Sequence, residues 1–216
     1  MMQKDFIITL AWPEVMVAGA GSWYDKFASS NGKYRVGHSA IVLISSETKK
    51  SHYFDFGRYH TPKGYGRVRD VETDTDLAIS NSKIHNGEIL NIKAILLELA
   101  QMKSTHGQGK MYASLLKNVN FGNAFSAAKR IQEKGMLAYG PFIKKGSNCA
   151  RFVSTVIQSS GLPRIKKIRF KYPFCISPSP KRNVCIANHN YYLVENNNCI
   201  KVRKTKFQSY FSSIEQ

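Results

Sequence analysis

The chain has 216 residues, enough for one domain with a substantial core, and its 43% apolar content excludes wholesale disorder. The formal net charge of +18 is unusually high, and it predicts attraction to a polyanion such as nucleic acid, an anionic membrane or a cell-wall polymer, or to an acidic partner. The four cysteines include no CxxC pair, which excludes a zinc ribbon and a thioredoxin motif, while a disulfide among Cys175, Cys185 and Cys199 stays open.

The sequence contains no stretch with the features of a secretory leader or a membrane span. The apolar run at residues 6–12 ends at Pro13 and Glu14, which makes it too short for either. We therefore expect no transmembrane segment and a cytoplasmic location, although a secreted chain already stripped of its signal would have the same features.

The first third of the chain predicts three strands. Residues 6–12 (FIITLAW) are typical of a buried strand, and residues 34–45 and 51–59 predict a hairpin with His38 near the start of its first strand. Asp55 lies in the second strand between two phenylalanines. Because a buried carboxylate is costly without a partner, we expect Asp55 to face water, an arginine or a histidine. Residues 60–76 are rich in Gly, Pro and charge and predict an exposed loop.

The middle of the chain predicts helices. Apolar residues recur at helical spacing after Asn86, and a second helical region is expected from about Met111 to Lys134, ending at Gly135. We interpret residues 86–135 as a helical insertion within a single domain of residues 1–216.

Residues 145–161 predict a buried helix with a cysteine in its first turn. Ser147 or Asn148 supplies the N-cap, and Gly161 ends the helix. The unpaired amides of a helix N-terminus favour a thiolate at Cys149, and the same amides suit a developing oxyanion. A buried cysteine that acts only as a small hydrophobe is the alternative.

The C-terminal part, residues 164–206, is basic and predicts further strands. It contains 11 Lys and Arg against one acid, Glu195. Residues 165–174 and 184–187 are interpreted as strands, and residues 191–194 and 199–202 as a hairpin. With strands early, helices in the middle and strands late, the fold class is α+β.

A cysteine nucleophile needs a base, and His38 is the best placed of the six histidines. A polar ring at a strand start reaches a cleft while the strand beyond it stays buried. A histidine that is merely hydrogen-bonded at a strand end is the alternative. The other five histidines lie in loops, turns or exposed positions (residues 52, 60, 85, 106 and 189).

The segments GHSAIVLIS, YFDFG and NCARFV, in this order, resemble the circularly permuted papain-like hydrolases. These are the NlpC-type amidases and their relatives, including the lecithin:retinol acyltransferase group, and the resemblance covers residues 34–59 and 139–160. It implies an antiparallel sheet packed against the cysteine-bearing helix, with extra helices inserted. It also implies Cys149 as nucleophile, His38 as general base and Asp55 as the orienting acid. The turn between the strands is longer than the family's, so Tyr59 or His60 is the alternative orienting residue.

The resemblance implies a thioester mechanism without a cofactor or metal. The backbone N–H of Cys149, with a side chain near Tyr139 or Trp12, would hold the oxyanion, and Trp12, Trp23, Tyr139, Tyr59 and His60 would contact substrate. We expect a cysteine amidase or peptidase that acts on a peptide, acyl or cell-wall substrate. A thioesterase or acyltransferase of the same fold is one alternative. The other is a module that binds nucleic acid or an anionic lipid or polymer through residues 164–206.

Overall fold

A large antiparallel sheet organises the chain. The computed structural model describes residues 5–18, 33–35, 37–140, 143–172 and 179–205. Within these ranges the strands are β1 (Asp5–Trp12), β2 (Met16–Ala18), β3 (Lys33–Arg35), β4 (His38–Ile44), β5 (Ser51–Gly57), β6 (Tyr65–Arg69), β7 (Ile84–His85), β8 (Glu88–Ile89), β9 (Met111–Val119), β10 (Leu137–Ala138), β11 (Asn190–Glu195) and β12 (Asn198–Arg203). The described α-helices are α1 (Ile92–Gln101), α2 (Phe121–Gln132), α3 (Cys149–Ser159), α4 (Arg164–Lys171) and α5 (Pro180–Ala187). The predicted α+β class is confirmed.

Eight strands form one sheet in the order β10-β6-β5-β4-β1-β9-β11-β12. Strand β1 is buried along its whole length, because helix α1 packs on one face of the sheet and helices α2 to α5 pack on the other. A strand covered on both faces needs apolar residues at successive positions rather than alternate ones, which explains the continuous run in β1.

The predicted hairpin is confirmed as β4 and β5, with β4 beginning at His38 itself. Ala40 pairs with Asp55 in the antiparallel register. Since side chains alternate between faces, Asp55 and His38 lie on the same face of the sheet in a diagonal relation.

The expectation of an exposed loop at residues 60–76 is wrong for its centre. Tyr65–Arg69 forms strand β6, which pairs with β5 and aligns Arg69 with Asp55. Hydrogen bonding to β5 holds this segment as a strand, although the Gly and Pro content around it predicts a loop.

The expected helical insertion at residues 86–135 is also wrong in part. The first helix begins at Ile92 rather than near Asn86, and residues 111–119 form strand β9 between β1 and β11. Only residues 121–132 of the second region are helical. Leu, Ala, Lys and Met favour helices locally, but two neighbouring strands hold this segment extended.

The C-terminal part contains helices where strands were predicted. Residues 164–171 form α4, and residues 180–187 form α5, which begins with Pro180 and is capped by the Ser179 side chain. The interpretation of residues 164–206 as β-rich is therefore wrong for residues 164–171 and 180–187, while residues 173–178 lie outside the described residues. The predicted hairpin after it is confirmed as β11 and β12. Among the described residues, no helix has the length and apolarity needed to cross a membrane.

Candidate active site

Cys149 is the first residue of helix α3, as predicted, and Asn148 is its N-cap. The Asn148 side chain accepts a hydrogen bond from the backbone N–H of Arg151 at 2.8 Å. The residues before the helix are tied to the end of the sheet, since Ser147 N–H donates to Ala138 O and Gly140 N–H donates to Ser147 O. Cys149 is 5% exposed. Backbone pairing on one side and the cap on the other therefore fix the thiol in place.

His38 lies between Cys149 and Asp55. Its Nε2 is 3.2 Å from Asp55 Oδ2, and its ring also interacts with the Cys149 side chain. Both His38 and Asp55 are buried, and Asp55 has no exposed surface. The structure thus brings together the three residues that the sequence singled out.

The pKa of His38 is raised to about 9. Burial alone lowers the pKa of this imidazole, but the hydrogen bond to Asp55, the hydrogen bond to Cys149 and the negative charges of both groups outweigh burial. In the same way, burial raises the pKa of the Asp55 carboxyl, while hydrogen bonds and charges from His38 and Arg69 lower it below its ordinary value. His38 is therefore a cation at neutral pH, held by an ionised carboxylate.

Arg69 is the functional residue that sequence reasoning missed. It is 2% exposed, and its Nε donates to Asp55 Oδ1 at 3.0 Å while its Nη2 donates to Asp55 Oδ2 at 2.6 Å. The Tyr53 hydroxyl donates to the same carboxylate at 3.0 Å. The signal that could have found Arg69 is the demand of a buried Asp55 for a cation, combined with an arginine on the next strand.

Tyr59 and His106 pack around this ion pair. The guanidinium of Arg69 lies 3.7 Å from the centre of the Tyr59 ring. The His106 ring stacks on the Tyr59 ring, with 4.3 Å between the two ring centres. Tyr59 also meets His38 edge-on at 6.2 Å. Tyr59 therefore shields the Arg69–Asp55 pair from solvent, while Asp55, and not Tyr59, contacts Nε2 of His38.

A cleft of about 480 Å³ opens beside the His38 ring. Tyr139 lines it, and the Tyr139 hydroxyl lies 4.0 Å from Cys149 Sγ. Arg58 and Lys63 also line it, and its described lining contains no Asp or Glu. The cleft therefore places His38 beside a cationic wall, and Tyr139 connects its lining to Cys149.

The remaining predicted contact residues lie elsewhere. Trp12 is almost fully buried and stacks on His38 at 5.8 Å, with Gly107 against its indole edge, so it supports the His38 ring. It is not among the described residues that line the cleft, and its predicted contact with substrate stays a prediction. His60 is exposed and is not among the described residues that line the cleft. Trp23 lies outside the described residues.

Neither a metal site nor a disulfide is found in the described part of the chain. No group of three or more His, Cys, Asp or Glu side chains there could hold a metal ion. Cys185 and Cys199 are free and buried, and burial raises the pKa of both thiols, while Cys175 lies outside the described residues.

Comparison with known proteins gives a family model that covers most of the chain. A family model described as type VI secretion system effector TseH-like matches residues 7–164, a segment that includes Cys149, His38 and Asp55. The chain is also similar to the crystal structure of a type VI secretion system effector, TseH, with a TM-score of 0.64 at 20% sequence identity, over 94% of this chain and 100% of that chain. At this identity the similarity shows a shared fold. No curated protein matches the chain.

Proposed function

The chain belongs to the TseH-like family of type VI secretion system effectors, and we propose that it is a cysteine hydrolase of the permuted papain-like type that cleaves amide bonds in a peptide or cell-wall substrate. The observation that carries the proposal is the position of His38, which lines a cleft, contacts Asp55 Oδ2 at 3.2 Å and interacts with the Cys149 side chain. The single-domain organisation and the cytoplasmic location expected from the sequence stay predictions.

The reaction begins from a Cys149 thiolate paired with the imidazolium of His38, which already holds the proton taken from the thiol. The thiolate attacks the substrate carbonyl, and the backbone N–H of Cys149 at the helix N-terminus stabilises the resulting oxyanion. The tetrahedral intermediate collapses as His38 donates its proton to the leaving amine, and a thioester remains on Cys149. Water, deprotonated by His38, then attacks the thioester and releases the acid product.

The electrostatics of His38 favour an amide substrate over a thioester or an ester. An amine leaves only after it is protonated, and a histidine with a pKa of about 9 holds that proton at neutral pH. The cationic wall formed by Arg58 and Lys63 suits a substrate that carries carboxylate groups near the bond to be cleaved.

Alkylation tests the nucleophile. We expect iodoacetamide, followed by peptide mass spectrometry, to label Cys149 faster near neutral pH than Cys185 or Cys199, which serve as internal controls because both are free and buried. His38→Ala should slow the labelling of Cys149 by at least about tenfold and leave the controls unchanged. If Cys185 or Cys199 reacts first while Cys149 stays inert, the proposed nucleophile is wrong.

Hydrolysis tests the substrate class. The wild-type protein should release new amino groups from purified cell-wall fragments or from acidic peptides, and Cys149→Ala should abolish the release. Release of acid from ester or thioester substrates, with no cleavage of amides, would instead assign the protein to the thioesterase alternative.

A further inference from the structure

Helix α4 and its C-cap residue, Tyr172, present an apolar ridge to solvent. The ridge consists of Ile165, Ile168 and Tyr172, which are 78%, 56% and 61% exposed, respectively. These three side chains lie within eight consecutive residues, and Ile165 is the most exposed large apolar side chain of the described chain. Isolated apolar residues at the surface are ordinary, but a clustered set on one helix marks an interaction site.

The ridge faces away from the core and cannot turn inward. At about 100° per helical residue, Ile165 and Ile168 lie about 60° apart, whereas Phe170 lies about 140° from one and about 160° from the other. Phe170 is 1% exposed and packs in the core with helix α3. Two hydrogen bonds fix this orientation, from Ser154 Oγ to Phe170 O at 3.0 Å and from Lys166 Nζ to Ala187 O at 2.9 Å.

Cations lie beside the ridge. Arg164, Lys167 and Lys171 are exposed on the same helix. The sequence has no acidic residue between Glu133 and Glu195, and the Glu195 carboxylate lies 3.5 Å from Lys110. The helix therefore offers apolar surface and positive charge together, without acidic neighbours along this stretch of chain.

We propose that helix α4 docks the protein on an anionic phospholipid surface, with the ridge inserted among the acyl chains and the flanking cations on the lipid phosphates. A bilayer uses both features at once, since apolar side chains enter the interface and each nearby Lys or Arg is attracted to anionic headgroups. A nucleic acid or an anionic polysaccharide would use the cations and leave the isoleucines in water. This inference does not depend on the proposed hydrolase activity.

Vesicle sedimentation tests the proposal on the full chain with Cys149→Ala, so that no hydrolysis can alter the vesicles. At physiological salt the protein should sediment with vesicles of phosphatidylcholine mixed with phosphatidylglycerol and stay in solution with phosphatidylcholine alone. The double change Ile165→Ser with Ile168→Ser should weaken binding at least about tenfold. Ile200→Ser is the matched control, because Ile200 is 51% exposed in the basic strand β12, and it should leave binding unchanged.

A charge series separates local docking from the net charge of the protein. Lys167→Glu should weaken binding to the mixed vesicles at least about fivefold, whereas Lys134→Glu, an equal change at an exposed lysine outside the helix, should have little effect. An equal loss from both changes would show that only the net charge matters and would overturn the proposal.

Fluorescence locates the contact itself. Ile165→Trp should give an emission blue shift when mixed vesicles are added, relative to the protein without this change, and Ile200→Trp should give none. Absence of vesicle binding, binding that ignores the isoleucine changes, or an equal loss of retention on heparin in the double variant would each refute the bilayer assignment.

Discussion

Asp55→Asn tests whether the buried carboxylate sets the charge of His38. The change keeps the shape of the side chain and removes its negative charge. In the wild-type protein the pKa of His38 rises from 6.5 to about 9, and the hydrogen bond to Asp55 is the largest of the contributions that raise it. A rise of this size corresponds to roughly 3 kcal/mol in favour of the imidazolium, because one pKa unit is about 1.4 kcal/mol.

Without Asp55, burial opposes the charge on His38 and only Cys149 supports it. We therefore expect the pKa of His38 to fall by at least about two units in Asp55→Asn, and the alkylation of Cys149 at neutral pH to slow by at least about tenfold. Asp74→Asn is the matched control. Asp74 accepts two hydrogen bonds from Arg67 at 2.8 and 2.7 Å and has no contact with His38.

Nuclear magnetic resonance of the histidine ring nitrogens against pH measures the shift, and His38→Gln identifies the His38 signal. Where Asp55→Asn lowers the yield of folded protein, Tyr53→Phe is a milder perturbation, because it removes one donor to Asp55 and leaves the charge. Tyr53→Phe should raise the pKa of His38 slightly or leave it, since the carboxylate then interacts more strongly with the imidazolium. A pKa of His38 that stays near 9 in Asp55→Asn would refute the assigned role of Asp55.

Three further predictions follow from the same contacts. Arg69→Met should lower the free energy of unfolding in urea by about 3–5 kcal/mol, because it leaves the buried carboxylate of Asp55 without its cation. Arg67→Met breaks a partly exposed pair and should lower it by about 1 kcal/mol or less. Equal losses in the two variants would contradict the interpretation of Arg69 and Asp55 as a buried pair. Asn148→Ala and Asn120→Ala each remove a helix cap and should each cost about 1 kcal/mol, but only Asn148→Ala should change the alkylation rate of Cys149. Because folding raises the pKa of His38, the protonated ring should contribute its full stabilisation below about pH 6.5 and lose it as the pH rises toward 9. Urea midpoints that rise over this interval would contradict the raised pKa of His38.

The reactive pair could be predicted because its residues lie at the ends of strongly patterned elements. His38 begins an apolar strand, and Cys149 follows a capping Asn148 and precedes an apolar helical face. Such patterns depend only on neighbouring residues in the sequence. The positions of His38 and Cys149 at the ends of their elements can therefore be predicted without knowledge of the rest of the fold.

Segments that depend on distant partners could not be predicted. Strand β9 contains residues with high helix propensity and is extended because β1 and β11 pair with it on both sides. Helix α4 was predicted as a strand because Ile168, Phe170 and Tyr172 alternate, although Ile165 and Ile168 also fit helical spacing. Arg69 escaped notice because its strand looks like a loop until β5 pairs with it.

The central place of β1 in the sheet has a consequence for how the chain folds. Strand β1 precedes the other described strands of the sheet, and β4 follows it closely enough to pair with one of its edges early. The other edge waits for β9, where Lys117 pairs with Phe6. Contacts between residues so far apart slow folding, and an apolar strand with an open edge is prone to aggregate. Nascent chains that end before Met111 should therefore collect on chaperones or in inclusion bodies, and solubility should recover once β9 has been synthesised.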